Sequence, residues 1–126
     1  MASAMLWVWK ESSQGAWGLH DHAGSSWTLR PSMRRRIARV RPEAVAGTPL
    51  RYGYDRATRR FTMELRGDPA VTAPNVLYVP APEDFSASFE VTCDGRVVIV
   101  TRDAATGRVE VPCGGEGVHA IVVAAR

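Results

Sequence analysis

From Leu50 to the C-terminus, apolar residues recur at every second position between turn signals. A period of two confines that part of the chain to strands with one buried face. Leu50, Tyr52 and Tyr54 alternate with Arg51 and Gly53, and Phe61, Met63 and Leu65 alternate with Thr62, Glu64 and Arg66, so the two runs form an antiparallel hairpin. Val76 to Val79, closed by Pro80 and Pro82, is a third strand, and Ala87, Phe89, Val91 and Cys93 mark a fourth. Asp94-Gly95 favours a two-residue turn into a strand over Val97 to Val100. Arg108 to Val111 and Val118 to Ala124 follow. About seven short strands with no helix between them predict a mainly β fold, an antiparallel β-sandwich over residues 50–126. Asp55-Arg56-Ala57-Thr58 and Asp103-Ala104-Ala105-Thr106 repeat one turn motif, in which aspartate and threonine bond nearby backbone donors.

Upstream, the residue grammar differs. Met5-Leu6-Trp7-Val8-Trp9 is apolar, aromatic and too short for a helix, and reads as a strand buried on both faces. Lys10 to Trp27 is polar and glycine-bearing, and is expected to be a long loop. Pro31 sits where the first turn of a helix accepts proline, and Met33, Ile37 and Val40 recur at helical spacing, which predicts an amphipathic helix ending before Pro42. Arg41 to Pro49 is then a join between residues 1–40 and the sandwich, kept extended by Pro42, Gly47 and Pro49.

With 45% hydrophobic and 23% charged residues, the composition is that of an ordinary globular domain. No apolar run reaches the roughly 20 residues a membrane-spanning helix needs, and the N-terminus has no basic region followed by an apolar stretch, so neither a transmembrane segment nor a secretion signal is expected in this chain. The net charge of +3 is carried mainly by arginine, densest at Arg34, Arg35, Arg36, Arg39 and Arg41. No nucleic-acid motif or aromatic platform accompanies it, so these side chains read as a solvated face and no nucleic-acid partner is expected.

Cys93 is in phase with Phe89 and Val91, and Cys113 with Val109 and Val111, which turns both thiols towards the inner faces. Such a pair either closes a disulfide, worth about 3 kcal/mol for a loop of this size, or remains as two buried thiols. No histidine stands at ligand spacing beside either cysteine, so no metal site is expected. All four tryptophans, Trp7, Trp9, Trp17 and Trp27, precede the sandwich, and serve either as core or as platforms for sugar rings. His20 and His22 flank Asp21, and His119 lies in a strand with no evident partner. Glu11 follows the buried strand but has no second carboxylate beside it of the kind a retaining glycosidase requires.

The run Arg41-Pro42-Glu43-Ala44-Val45-Ala46-Gly47-Thr48-Pro49-Leu50, followed by Tyr54-Asp55-x-Ala57-Thr58, Phe61 and Asn75-Val76-Leu77-Tyr78-Val79-Pro80, resembles the C-terminal β-sandwich of endoglycoceramidase-type members of glycoside hydrolase family 5. The resemblance implies that residues 1–40 are the end of a (β/α)8 barrel, with Met5 to Trp9 as its eighth strand, and that residues 50–126 are its appended sandwich. An aromatic after that barrel strand lines a sugar subsite in the family; the matching position is Trp9, with Trp7 second and Lys10 and Glu11 adjoining. The family's catalytic acid and nucleophile would both lie upstream of Met1, and Glu11 matches neither.

The chain is thus expected to be a non-catalytic fragment of a retaining enzyme that cleaves β-glycosidic bonds of glycolipids through a covalent glycosyl-enzyme, without a cofactor. The parent would be secreted or on the cell surface. The expected partner is the catalytic barrel, in the same parent or on a second chain of a split glycosidase. The other reading is a stand-alone carbohydrate- or lipid-surface-binding module using the tryptophan-rich segment. The apolar strand at Met5 to Trp9 must be covered, which points to self-association through residues 1–40 or to a conformation unlike the barrel's.

Overall fold

The computed structural model describes residues 20–23, 25–32, 38–81, 85 and 88–126, which divide into two units, residues 1–38 and 39–126. In the first, β1 (His20–Ala23) and β2 (Ser26–Leu29) pair antiparallel, with His20 opposite Leu29 and Ala23 opposite Ser26. From His20 on this corrects the expectation of a long loop over Lys10 to Trp27, whose first ten residues lie outside the described ones. Trp27, Thr28 and Leu29 are good strand formers, but the polar residues of β1 hide the alternation. The strand expected at Met5 to Trp9 lies outside the described residues. Pro31 and Ser32 are helical and residues 33–37 lie outside the description, whereas Ala38 to Val40 are not helical. Val40 is instead buried in the sandwich core, which corrects the helix's predicted end. A β-branched residue two positions before a proline suits extended chain better than a last helical turn.

The second unit is a sandwich of two antiparallel sheets. The larger is ordered β4 (Gly47–Asp55), β5 (Arg60–Gly67), β10 (Gly117–Ala125), β7 (Phe89–Cys93), β8 (Arg96–Val98). The smaller is ordered β3 (Arg41–Ala44), β6 (Asn75–Tyr78), β9 (Arg108–Val111). Alternation sets the core. Phe61 on β5 stands opposite Val123 on β10, which stands opposite Val91 on β7, while Met63 opposes Ile121. From the smaller sheet, Leu77 opposes Val109, and all of these side chains are essentially excluded from solvent. Phe85 closes the core, with its ring 6.1 Å from that of Tyr54 and 6.3 Å from that of Phe89.

Two strand assignments change. Arg41 to Ala44, within the expected join, is a strand that brings the unit to eight, and its Pro42 is accommodated because β3 is an edge strand that needs no ladder bond on its free side. The strand expected over Val97 to Val100 stops at Val98. Ile99 is 96% exposed, and the chain crosses to the other sheet, where Arg102 bridges to Val109. At the junction itself Gly47 has φ 139°, and a Cβ there would collide with the carbonyl oxygen of Arg66. The glycine lets β4 begin tightly against β5.

Candidate functional site

Chemistry-bearing side chains converge where the β7–β8 turn meets β10. Asp94 and Gly95 have φ of 50° and 77°, the paired positive values of a two-residue hairpin turn. The turn leans on β10: the Asp94 N–H donates to the Ala120 carbonyl at 2.8 Å, and the Ala120 N–H donates back to Asp94 Oδ1 at 2.8 Å. The second carboxylate oxygen, Oδ2, lies 2.9 Å from His119 Nδ1. These bonds stabilise the ionised carboxylate: the contact with His119, then the Ala120 amide, hold Asp94 below the usual aspartate range.

His119 is brought there by strand parity. It opposes Leu65, so it continues the inward-facing row of Ile121 and Val123 to the rim of the sandwich, where its side chain is 16% exposed. Its Nε2 is buried without a hydrogen-bond partner among the described groups. Cys93, the last residue of β7, and Cys113, just after β9, are joined by a disulfide with Cα atoms 5.7 Å apart, which ties one sheet to the other. Cys93 Sγ is 3.7 Å from Asp94 Oδ2. One ligand atom from each of Cys93, Asp94, Cys113 and His119 falls within 4.8 Å of the others. The histidine absent from the cysteines' sequence neighbourhood is supplied by another strand. With the sulfurs paired, only His119 and Asp94 offer ligand atoms, too few for a stable protein site.

Trp7, Trp9, Lys10 and Glu11, named from the sequence as sugar-binding, lie outside the described residues. Asp21 is paired with Arg30, whose Nε is 2.6 Å from Oδ1. The other described carboxylates with partners serve turns and ion pairs. Asp55 accepts from Thr58 Oγ1 at 2.9 Å and from the Ala57 amide at 2.9 Å, and Asp103 accepts from the Thr106 and Ala105 amides at 2.8 and 2.9 Å. Thr58's hydroxyl in the first turn and the Thr106 amide in the second lead in holding these carboxyls below their usual range. Glu64 pairs with Arg51, Glu90 with Arg126, and Glu43 with Arg108 at 2.7 Å. Arg41 stacks its guanidinium 4.0 Å above the Tyr78 ring. A shallow groove between Thr72-Ala73-Pro74 and Pro112-Cys113-Gly114 has Glu110 as its one carboxylate.

The Glycoside hydrolase family 5 C-terminal domain matches residues 39–123. A search of curated proteins returned no match. Among solved structures, endo-glycoceramidase II from Rhodococcus sp. is similar with a TM-score of 0.68 and 24% identity, over 91% of this chain and 24% of that one. Sterylglucosidase 1 of Cryptococcus neoformans is similar with a TM-score of 0.51 and 22% identity, over 70% of this chain and 13% of that one. At these identities the likeness speaks for the fold, and the chain spans about a quarter of the length of the endo-glycoceramidase. The family match covers well over half of the chain, so this chain belongs to the glycoside hydrolase family 5 C-terminal domain family.

Proposed function

We propose that residues 39–126 are a non-catalytic domain supporting the barrel of a retaining, endoglycoceramidase-like glycosidase whose substrates are β-linked glycolipids. The observation that carries this reading is the match of residues 39–123 to a domain defined by its place at the C-terminal end of family 5 enzymes. The similar Rhodococcus enzyme has been captured with ganglioside GM3 and as a lactosyl-enzyme intermediate, which supports a glycolipid substrate and a covalent mechanism for the parent. The likeness to that enzyme covers more of this chain than residues 39–126 alone supply, which supports reading residues 1–40 as the end of the barrel, with Trp9 and Trp7 beside a sugar subsite.

The chemistry of the described carboxylates supports a non-catalytic role. A retaining glycosidase needs one carboxyl held protonated by a raised pKa and a second ionised about 5 Å away. Every resolved carboxylate shift here is downward, each caused by a turn donor or a cationic or imidazole partner. Such groups hold the fold and are poor proton donors at neutral pH.

Calorimetric titration of the 126-residue chain with lactose and with glucosylceramide-bearing vesicles tests the supporting role. Flat titrations are expected. Saturable binding that disappears in Trp9→Ala would favour a binding module instead.

A further inference from the structure

The cluster at the sandwich rim is more than a crosslink. Two sulfurs, an imidazole and a carboxylate from three separate stretches of chain, Cys93-Asp94, Cys113 and His119, lie within 4.8 Å of one another. Tetrahedral zinc, with bonds of about 2.0 to 2.3 Å, places its ligand atoms roughly 3.3 to 3.8 Å apart, and two thiolates with one or two harder donors make a common structural set. The Cα atoms are 5.7 Å apart, close enough for both cysteines to reach one metal ion once the bond between them is opened. The carboxylate already contacts one ring nitrogen, Asp94 Oδ2 to His119 Nδ1 at 2.9 Å, and the other, Nε2, is buried with no protein partner among the described groups. A carboxylate on one nitrogen with the second left free is how metal-binding histidines are oriented.

We propose that reduction of the Cys93–Cys113 disulfide converts this rim into a binding site for a soft divalent cation of the zinc class, held by Cys93, Cys113 and His119 with Asp94 as fourth ligand or as the orienting carboxylate. The two forms exclude each other, because the disulfide has no thiolate to give. Two electrons and two protons from a thiol-class reductant open the bond; the reductant becomes its own disulfide, and the two cysteine protons pass to solvent as the thiolates take the metal. The domain therefore carries one covalent crosslink in an oxidising medium and can replace it by a metal crosslink between the same two sheets in a reducing one.

The test uses the 126-residue chain with a water-soluble phosphine, which takes up oxygen from water as the disulfide gains two hydrogens, and titrates with Co²⁺ without air. The expected result is one equivalent of Co²⁺ producing the visible bands of four-coordinate cobalt and a near-ultraviolet sulfur-to-cobalt transition, both erased by one equivalent of Zn²⁺. The unreduced protein should give neither. His119→Gln, which leaves the cysteines in place, should weaken binding by at least about tenfold, and Cys93→Ser, which leaves one thiolate, should cut the sulfur transition to about half or less. Absence of the bands in reduced, folded protein overturns the proposal, as does an unchanged affinity in His119→Gln. Where reduction alone unfolds the chain, one equivalent of Zn²⁺ must restore the β-sheet circular dichroism, and failure to do so overturns it equally.

Discussion

Asn75 holds Ala46 in place: the side-chain Oδ1 of one accepts the backbone N–H of the other at 2.9 Å across 29 residues of sequence. Asn75 is the buried polar residue among the described core side chains, and its Nδ2 also donates to the Val111 and Cys113 carbonyls. One amide thus ties the Arg41 to Pro49 run to the end of β9. Removing it takes a partner from an amide and two carbonyls in the interior, so Asn75→Ala is expected to cost about 3 kcal/mol. Asn75→Asp keeps the acceptor for Ala46 but sets a carboxylate against two carbonyl oxygens, and should cost at least as much. Urea denaturation of the two variants against the parent checks both, and midpoints equal to the parent's would contradict the role.

Arg59 and Gly107 occupy the same position in the two Asp-x-Ala-Thr turns, and both are left-handed, with φ of 50° and 72°. Only glycine takes that conformation without strain, for which other residues pay roughly 1 to 2 kcal/mol. Arg59→Gly should therefore stabilise the domain by a few tenths to about 1 kcal/mol, net of the glycine's greater unfolded-state entropy. Gly107→Ala should destabilise it further than strain alone, since a Cβ there would stand 2.9 Å from the Tyr78 ring. Opposite shifts of the thermal midpoint in the two variants are the expected outcome; shifts of the same sign would contradict the equivalence of the turns.

Asp55, Asp94 and Asp103 all have folded-state pKa values depressed by partners: the Thr58 hydroxyl, the His119 ring and the Thr106 amide respectively. A depressed carboxylate contributes stability that is fully present above its unfolded value, about 3.9, and is lost as pH falls through the lower folded value. Stability should therefore hold from neutral pH to about 5 and decline below about 4. Asp103→Asn still accepts from the turn amides but no longer titrates, so its decline should be shallower. Urea midpoints measured as a function of pH decide this; superimposable acid limbs would remove Asp103 from the account.

The sandwich was legible because its strands obey a strict period of two, and rows such as Phe61, Val123 and Val91 follow directly from it. The Asp94-Gly95 hairpin was legible for a local reason, since few dipeptides accept two positive φ values. What escaped depended on position within the sheets. Pro42 reads as a strand breaker until β3 is known to be an edge. Val97 to Val100 reads as a buried strand, but β8 is also an edge and Ile99 lies where the chain leaves it for the other sheet. Val40 fits a helical spacing and a strand-like burial equally well, and tertiary packing decided between them. The pairing of His119 with Asp94 was invisible because a turn aspartate reaches back over β10, 25 residues away in sequence. The disulfide was half legible: phase pointed both cysteines inward, but only the distance between β7 and the end of β9 closes the bond.

A supporting domain whose carboxylates serve the fold has no turnover of its own. The purified 126-residue chain, incubated with a fluorogenic β-lactoside and with a lactosyl lipid, should release no product above the buffer rate. Release that is abolished by Glu11→Gln would contradict the account, because a catalytic carboxylate would then reside within this chain.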